Sequence, residues 1–434
     1  MKRNLYKQLL DWRSLPDRKP LMLYGARQVG KTYLLREFGE QEFDDMVYIN
    51  CYRNPQMTAL FSGDADPARL LAGLQVCARK AIVPGRTFVF LDEVQEVPPV
   101  VSALKYFSEN MPELHLAVAG SLLGVMSMQG ESFPVGKVHI LHLGPMNFEE
   151  FLEARGEGDL LAMLRQRDWP MVSVFHDRLQ SELRLYYYIG GMPEAVAHYV
   201  AHGDTGAVRR IQDDILAAYE IDIAKHTASE TQRVRMVWQS IPAQLGRENK
   251  KFIYGAVRQG ARAKDFELAI QWLVDAGLVH KVERVREVRM PLRFYADRSA
   301  FKLYLLDVGL LGALCGVSAQ QALIGDGVFT EYRGALTENF VLQQLRSLPS
   351  VPIYYYSKDN STQEVDFILQ VSDRLLPIEV KAGSNARSRS FSTFLQQDYR
   401  DSGMRGVRLS MLPYRDQGWM ENVPLYATAS FLQP

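Results

Sequence analysis

Residues Gly25 to Thr32 read GARQVGKT and fit G-x-x-x-x-G-K-[ST], a spacing that wraps backbone around a chain of phosphates. With glycine at about 7 % of average usage, roughly one chain in a hundred of this length would match by chance. Gly25 and Gly30 let the loop turn so that N–H groups along Ala26, Arg27, Gln28 and Val29 point inward as an anion nest. The positive end of a following helix adds to that field. Lys31 would reach the β- and γ-phosphates, and the Thr32 hydroxyl would hold Mg²⁺. The plainer alternative is a glycine turn with an incidental lysine.

A second group lies some way downstream. Thr87-Phe88-Val89-Phe90-Leu91-Asp92-Glu93 is an apolar strand ending in two carboxylates, the Walker B pattern. Asp92 would bind Mg²⁺ through water, and Glu93, one residue further out, would serve as base or orienter for the attacking water. Leu114 to Gly120 predicts a third strand, ending at Ser121, which suits a sensor of the γ-phosphate or equally a helix N-cap. ATP and Mg²⁺ are the cofactors these residues call for.

A third group sits near the C-terminus. Residues two apart in a strand share a face, so Glu379 and Lys381 project together while Ile378 and Val380 face the core. Asp366 points away from Val365 and Phe367 in the same manner. A hairpin closed through Ser372 and Asp373 would set Asp366 directly across from Glu379. Like charges so placed repel, and the arrangement calls for a metal or for Lys381. Asp366 and Glu379 would hold Mg²⁺, Lys381 would orient or polarise water, and Glu338 would support from a helix. That is the chemistry of a metal-dependent phosphodiesterase; a solvated hairpin face is the alternative.

The elements that must position these groups are legible in outline. Leu21 to Tyr24 predicts a buried strand before the glycine loop, and Tyr33 to Phe38 a helix after it. Met46 to Asn50 and Lys137 to Leu143 predict further strands, with helices over Ala68 to Ile82 and Val100 to Asn110. This alternation predicts an α/β fold with a parallel sheet. From Phe148 to about Ala224 the pattern is helical, broken at Gly190-Gly191-Met192-Pro193. Thr231 to Ile241 predicts a helix ended by Pro242, and Ala263 to Ala276 another closed by Gly277. Leu278 to Val282 and Leu292 to Tyr295 then alternate as two strands around a basic turn, the order of a winged helix, which reads DNA in some proteins and docks subunits in others. Beyond Thr330, a helix carrying Glu338, a strand at Tyr354 to Tyr356, and the Asp366/Glu379 hairpin complete the outline.

Composition sets limits. The chain has 434 residues and 47 % apolar content, enough for two to four packed domains. Fifty basic and fifty acidic residues leave no net charge, so any nucleic-acid surface must be local. Cys51, Cys77 and Cys315 are far apart and suggest neither zinc nor a disulfide framework. No apolar run reaches membrane-spanning length and no signal-peptide core stands at Met1 to Tyr6, so a cytoplasmic location without membrane attachment is the expectation.

GARQVGKT, FVFLDEVQEV, AVAGSLLG and IGGMPEAV, in that order, resemble the bacterial and archaeal AAA-type ATP-binding proteins with a C-terminal domain of unknown function 4143. The resemblance covers nearly the whole chain. It implies a P-loop NTPase core, a winged-helix region and a tail similar to the PD-(D/E)xK restriction-endonuclease-like fold, whose pattern falls on Glu338, Asp366, Glu379 and Lys381. It also implies that Pro193, in a G-x-P triplet, lies near the adenine. The expected division is 1–185 for the ATPase domain, 186–300 for the helical and winged-helix region, 301–330 as connector and 331–434 for the nuclease-like domain. Two functional expectations follow. ATP hydrolysis controls a tail that binds DNA or other nucleic acid and cuts it with Mg²⁺, or nucleotide switches a scaffold, with a homo-oligomer as a further partner, whose tail does not cut. A small-molecule kinase leaves the C-terminal half unexplained.

Overall fold

Leu21–Tyr24 (β1), Thr87–Asp92 (β3) and His115–Gly120 (β4) are buried at every position, as strands covered on both faces must be. With Asp45–Asn50 (β2) and His139–His142 (β5) they form a parallel sheet in the order β2-β3-β4-β1-β5. On one face Met22, Val89, Leu91, Leu116 and Val118 pack with Leu70, Leu74, Val100 and Leu104 from helices Pro67–Ala78 and Pro99–Asn110. On the other, Phe88 stacks on Phe43 at 5.0 Å and meets Phe38 and Trp12 edge-on. Those last two come from helices Lys31–Glu42 and Leu5–Ser14. The α/β class with a parallel sheet is therefore as expected. β1 and β3 are separated by β4 alone, and their C-terminal ends, where parallel sheets bind ligands, carry the glycine loop and Asp92.

The computed structural model describes residues 1–434 except 64, 121–132, 225–227, 248–249, 325–329, 349–350, 360, 384–388 and 433–434. It divides into two units, Met1–Gly144 with Asp275–Gly277, and Pro145–Val274 with Leu278–Pro434. The divisions expected at 185, 300 and 330 all fall inside the second unit.

Strand pairing is the reason. In the second unit Val279–Val285 (β6) pairs antiparallel with Ala296–Leu305 (β7) but also parallel with Ile353–Ser357 (β8). Glu364–Val371 (β9), Arg374–Lys381 (β10), Gly406–Ser410 (β11), Arg415–Asp416 (β12) and Met420–Pro424 (β13) complete one mixed sheet ordered β12-β13-β11-β10-β9-β8-β6-β7. The hairpin read as a wing is thus part of the tail's own sheet. Its second strand also lies later than expected. Leu292–Tyr295 is a 3₁₀ turn, in which Leu292 is buried and Phe294 is 84 % exposed; a strand would have put both on one face.

A second correction concerns Pro242, which lies inside the helix Ala228–Leu245 rather than ending it. Ile241 and Leu245 are fully buried, and Gln244 exchanges two hydrogen bonds with the Ile253 backbone (3.0 and 3.1 Å). Tertiary packing of the last turn outweighs the lost backbone bond. Gly277, at φ 70°, follows the helix Ala263–Asp275 as expected. Among the described residues no helix is long and apolar enough to cross a membrane.

Candidate functional site

The glycine loop has little room for anything but glycine at its first position. A Cβ on Gly25 would lie 2.1 Å from the Leu143 carbonyl oxygen. Gln28 and Gly30 take left-handed backbone (φ 67° and 93°), Gly30 as the residue before helix Lys31–Glu42. Ala26 and Val29 are buried, and Arg27 is half-buried. The loop is also held from outside, since Arg3 donates to the Val29 carbonyl at 2.9 Å and to the Gly144 carbonyl at 2.7 Å. Nothing in the spacing of Arg3 announces this role.

Lys31 is folded onto the loop, donating to the Gly25 and Ala26 carbonyls at 2.9 and 2.7 Å. Burial lowers its pKa to about 8, against the opposing pull of Glu93 and Asp92. The sign of the consequence is fixed. A bound triphosphate favours the charged amine, so binding takes up a proton wherever the free lysine is partly neutral. At pH 8 calorimetry in buffers of different ionisation enthalpy is expected to show uptake of about half a proton, falling to none near pH 6.

Thr32 Oγ1 donates to Asp92 Oδ2 at 2.7 Å, and Tyr48 donates to the same oxygen at 3.3 Å. Burial raises the Asp92 pKa, partly offset by Thr32. A hydroxyl and a carboxylate in contact are hard oxygen donors that suit Mg²⁺ shared with phosphate oxygens, so the residues present fit both expected cofactors. Glu93 follows in left-handed backbone (φ 53°), half-buried, with its carboxylate accepting from Gln95 Nε2. Ser121 lies outside the described residues.

Pro193 opens the helix Pro193–His202 in the second unit. The glycines before it answer to a buried carboxylate that sequence reasoning missed. Asp307 accepts from the Gly191 N–H at 2.6 Å, the Leu310 N–H at 3.0 Å and Gln343 Nε2 at 2.9 Å. Burial raises its pKa against those bonds. A Cβ on Gly191 would stand 1.9 Å from the Met146 carbonyl oxygen, so close backbone approach accounts for this glycine.

In the C-terminal hairpin Arg374 pairs with Val371 across Ser372 and Asp373, and Ser372 takes left-handed backbone (φ 53°). The register runs to Ile378 opposite Phe367, so the next pair outward is Glu379 and Asp366. Asp366 accepts from the Val380 N–H at 2.7 Å, and Lys381 pairs with Glu379 at 3.0 Å. Glu338, on helix Thr330–Arg346, is buried beside them in the electrostatic sense that its charge acts on Asp366.

Two lysines absent from the sequence reading supply the missing counter-charge, and Tyr304 adds a hydrogen bond. Lys302, fully buried on β7, pairs with Glu364 and lies 3.8 Å from Glu338. Lys250 pairs with Glu338, and Tyr304 donates to Glu338 at 3.0 Å. Four carboxylates (Glu338, Glu364, Asp366, Glu379) thus meet three ammonium groups. Burial and the Glu338 charge push Asp366 up to about 7, against Lys302 and Lys250. For Glu338 burial is outweighed by Lys250 and Lys302, which hold it below the ordinary range. The signal was visible: Lys302 and Tyr304 alternate with Phe301, Leu303 and Leu305, and Glu364 sits two before Asp366.

The repulsion read as calling for a metal or for Lys381 is met here by Lys381 on Glu379, joined by Lys302 on Glu364 and Lys250 on Glu338. Among the described residues no group of three or more His, Cys, Asp or Glu is placed to hold a metal ion.

Three stretches of the chain match known families. Residues 17–152 match a family described as an AAA domain, residues 333–427 match the domain of unknown function DUF4143, and residues 180–321 match a further domain of unknown function, DUF8612. Uncharacterized proteins of Mycobacterium tuberculosis and Mycobacterium bovis are each 24 % identical over 393 residues, spanning 88 % of this chain and 75 % of their own. Among solved structures, a Walker-type ATPase of Pyrococcus abyssi is 14 % identical with a TM-score of 0.47, covering 72 % of this chain and 95 % of that one. The Aeropyrum pernix Orc1 protein in complex with DNA is 13 % identical with a TM-score of 0.26, covering 73 % and 91 %. The chain thus carries a stretch that matches an AAA domain and, towards the C-terminus, one that matches DUF4143.

Proposed function

We propose that the protein binds ATP with Mg²⁺ at the Gly25–Thr32 loop and hydrolyses it, and that its tail binds nucleic acid as a nucleotide-controlled element without cutting it. The observation that carries the first part is the meeting of the buried Lys31 with Thr32 and Asp92 at one end of the parallel sheet. Bound Mg²⁺ supplies charge neutralisation at the phosphate oxygens. The chain's own residues do the rest. The loop N–H groups orient the phosphates, Lys31 leaves its carbonyl partners to meet them, and Glu93 orients the attacking water. Lys31→Ala removes a charge-assisted contact, so ATP affinity by equilibrium dialysis is expected to fall at least about tenfold, on the order of 1.5–3 kcal/mol. Unchanged affinity would falsify the loop's role.

For the tail, the lysine engagement of Glu338, Glu364 and Glu379 supports binding without cleavage. The reading with a Mg²⁺-dependent nuclease is favoured by one observation, the register that faces Asp366 with Glu379 beside Lys381. Incubation with plasmid and Mg²⁺ separates them. No nicking is expected; nicking by the wild type that Asp366→Ala abolishes would establish the nuclease instead.

A further inference from the structure

A cleft of about 310 Å³ lies in the second unit, and its described lining includes none of the paired lysines and carboxylates. Helix His176–Ile189 contributes Gln180 and Arg184 to its wall, and helix Thr330–Arg346 contributes Arg333 and Leu336. Met411 and Leu412 close the apolar side. The described lining contains two arginines and neither Asp nor Glu. Arg184 is half-buried and makes no hydrogen bond or ion pair among the described residues.

The polar wall is held in place. Gln180 Nε2 donates to the Met411 carbonyl at 2.7 Å and to His176 Nε2 at 2.7 Å, while His176 Nδ1 meets the Tyr426 hydroxyl at 2.8 Å. Both ring nitrogens of His176 are thus engaged, and burial holds its pKa below the ordinary histidine value. The cations facing the cleft are then the two guanidiniums. A guanidinium presents a planar fork of donors that matches phosphate, and Arg184, half-buried with no acid in the described lining, is the one whose attraction for an anion is stored there. The apolar side formed by Leu336, Met411 and Leu412 gives a bare hydrated ion nothing to bury, but suits an organic body.

We propose that this cleft binds the phosphate of a nucleotide-sized organic phosphate, Arg184 and Arg333 holding the phosphate and Leu336, Met411 and Leu412 covering the organic part. Position suggests its use. Ala382 and Gly383 in the lining directly follow Lys381, and Thr337 directly precedes Glu338, so the cleft borders both elements of the carboxylate cluster. The same chemistry has two sources, a free nucleotide or one unit of a nucleic-acid strand. Only the second rests on the reading of the tail as a nucleic-acid binder.

The test uses full-length protein carrying Lys31→Ala, so that the glycine loop contributes little, and measures binding of AMP, a twelve-residue thymidylate oligomer and inorganic phosphate by calorimetry. AMP or the oligomer is expected to bind more tightly than inorganic phosphate. Adding Arg184→Gln should weaken that binding at least about tenfold, and Arg184→Lys should weaken it less, since charge is kept and the fork lost. Thermal melting of each variant checks that the fold is intact. Tight oligomer with weak AMP assigns the strand as source; AMP as tight as the oligomer assigns the free nucleotide. Binding of neither, AMP and oligomer no tighter than inorganic phosphate, or an unchanged affinity in Arg184→Gln would overturn the proposal. The readout is affinity alone, so failure of ATP hydrolysis, or nicking of plasmid by the wild type, leaves this result standing.

Discussion

Replacing Glu93 with glutamine is expected to leave ATP bound while slowing its turnover by about 10²–10⁴-fold, the range for losing a positioned general base. The reason lies in what Glu93 does not touch. The loop is closed by Arg3, Lys31 and the Leu143 carbonyl, and the oxygen pair that suits Mg²⁺ belongs to Thr32 and Asp92. Glu93 stands one residue beyond β3, on left-handed backbone that costs a non-glycine residue about 1–2 kcal/mol. Glutamine keeps that conformation and the volume, and removes only the charge that draws a proton from water. Single-turnover hydrolysis and nucleotide affinity, measured side by side, read the two consequences separately. A variant that turns over ATP at the wild-type rate means that the water is oriented by another group.

Lys302→Met should cost about 3–5 kcal/mol of stability, the loss typical when one partner of a buried ion pair is removed. Lys302 has no exposed surface and neutralises Glu364 while standing near Glu338. Methionine fills the space and leaves the carboxylates facing one another with Lys250 and Lys381 alone. The pH dependence has a definite sign. Asp366 binds its proton more tightly folded, at about 7, than unfolded, so its contribution falls as pH rises from about 4 to 7. Without Lys302 that pKa rises further, and the deficit widens above pH 7. Urea unfolding of both proteins at pH 6 and pH 8 tests this; equal deficits at the two values would show that Asp366 does not feel Lys302. Restoring part of the loss with Asp366→Asn would locate the repulsion.

The two sites were legible to different degrees. The glycine loop, Asp92 and Glu93 could be named because backbone turn, phosphate contact and water orientation each demand a residue type within a short stretch of chain. Local chemistry of that kind is written locally. Arg3, which ties the loop to Gly144 across more than a hundred residues, carries no such mark. In the tail, strand alternation and the two-residue turn identified Asp366, Glu379 and Lys381 as neighbours, and the register agrees. Their charge balance was not read, because Lys250 was assigned to the winged-helix region and Lys302 to the connector, although the alternation around Lys302 carried a signal.

By itself, then, the order of residues determined the parallel α/β unit, its phosphate loop and the facing carboxylates of the tail hairpin. Each depends on periodicity or spacing within a few dozen positions. Only tertiary structure decided that β6 and β7 join the tail's sheet, that Pro242 stays within its helix, and that Lys250 and Lys302 meet the acidic cluster. Those outcomes are set by which distant segments share a buried surface, where the energy of pairing a strand edge or a desolvated charge exceeds any local preference.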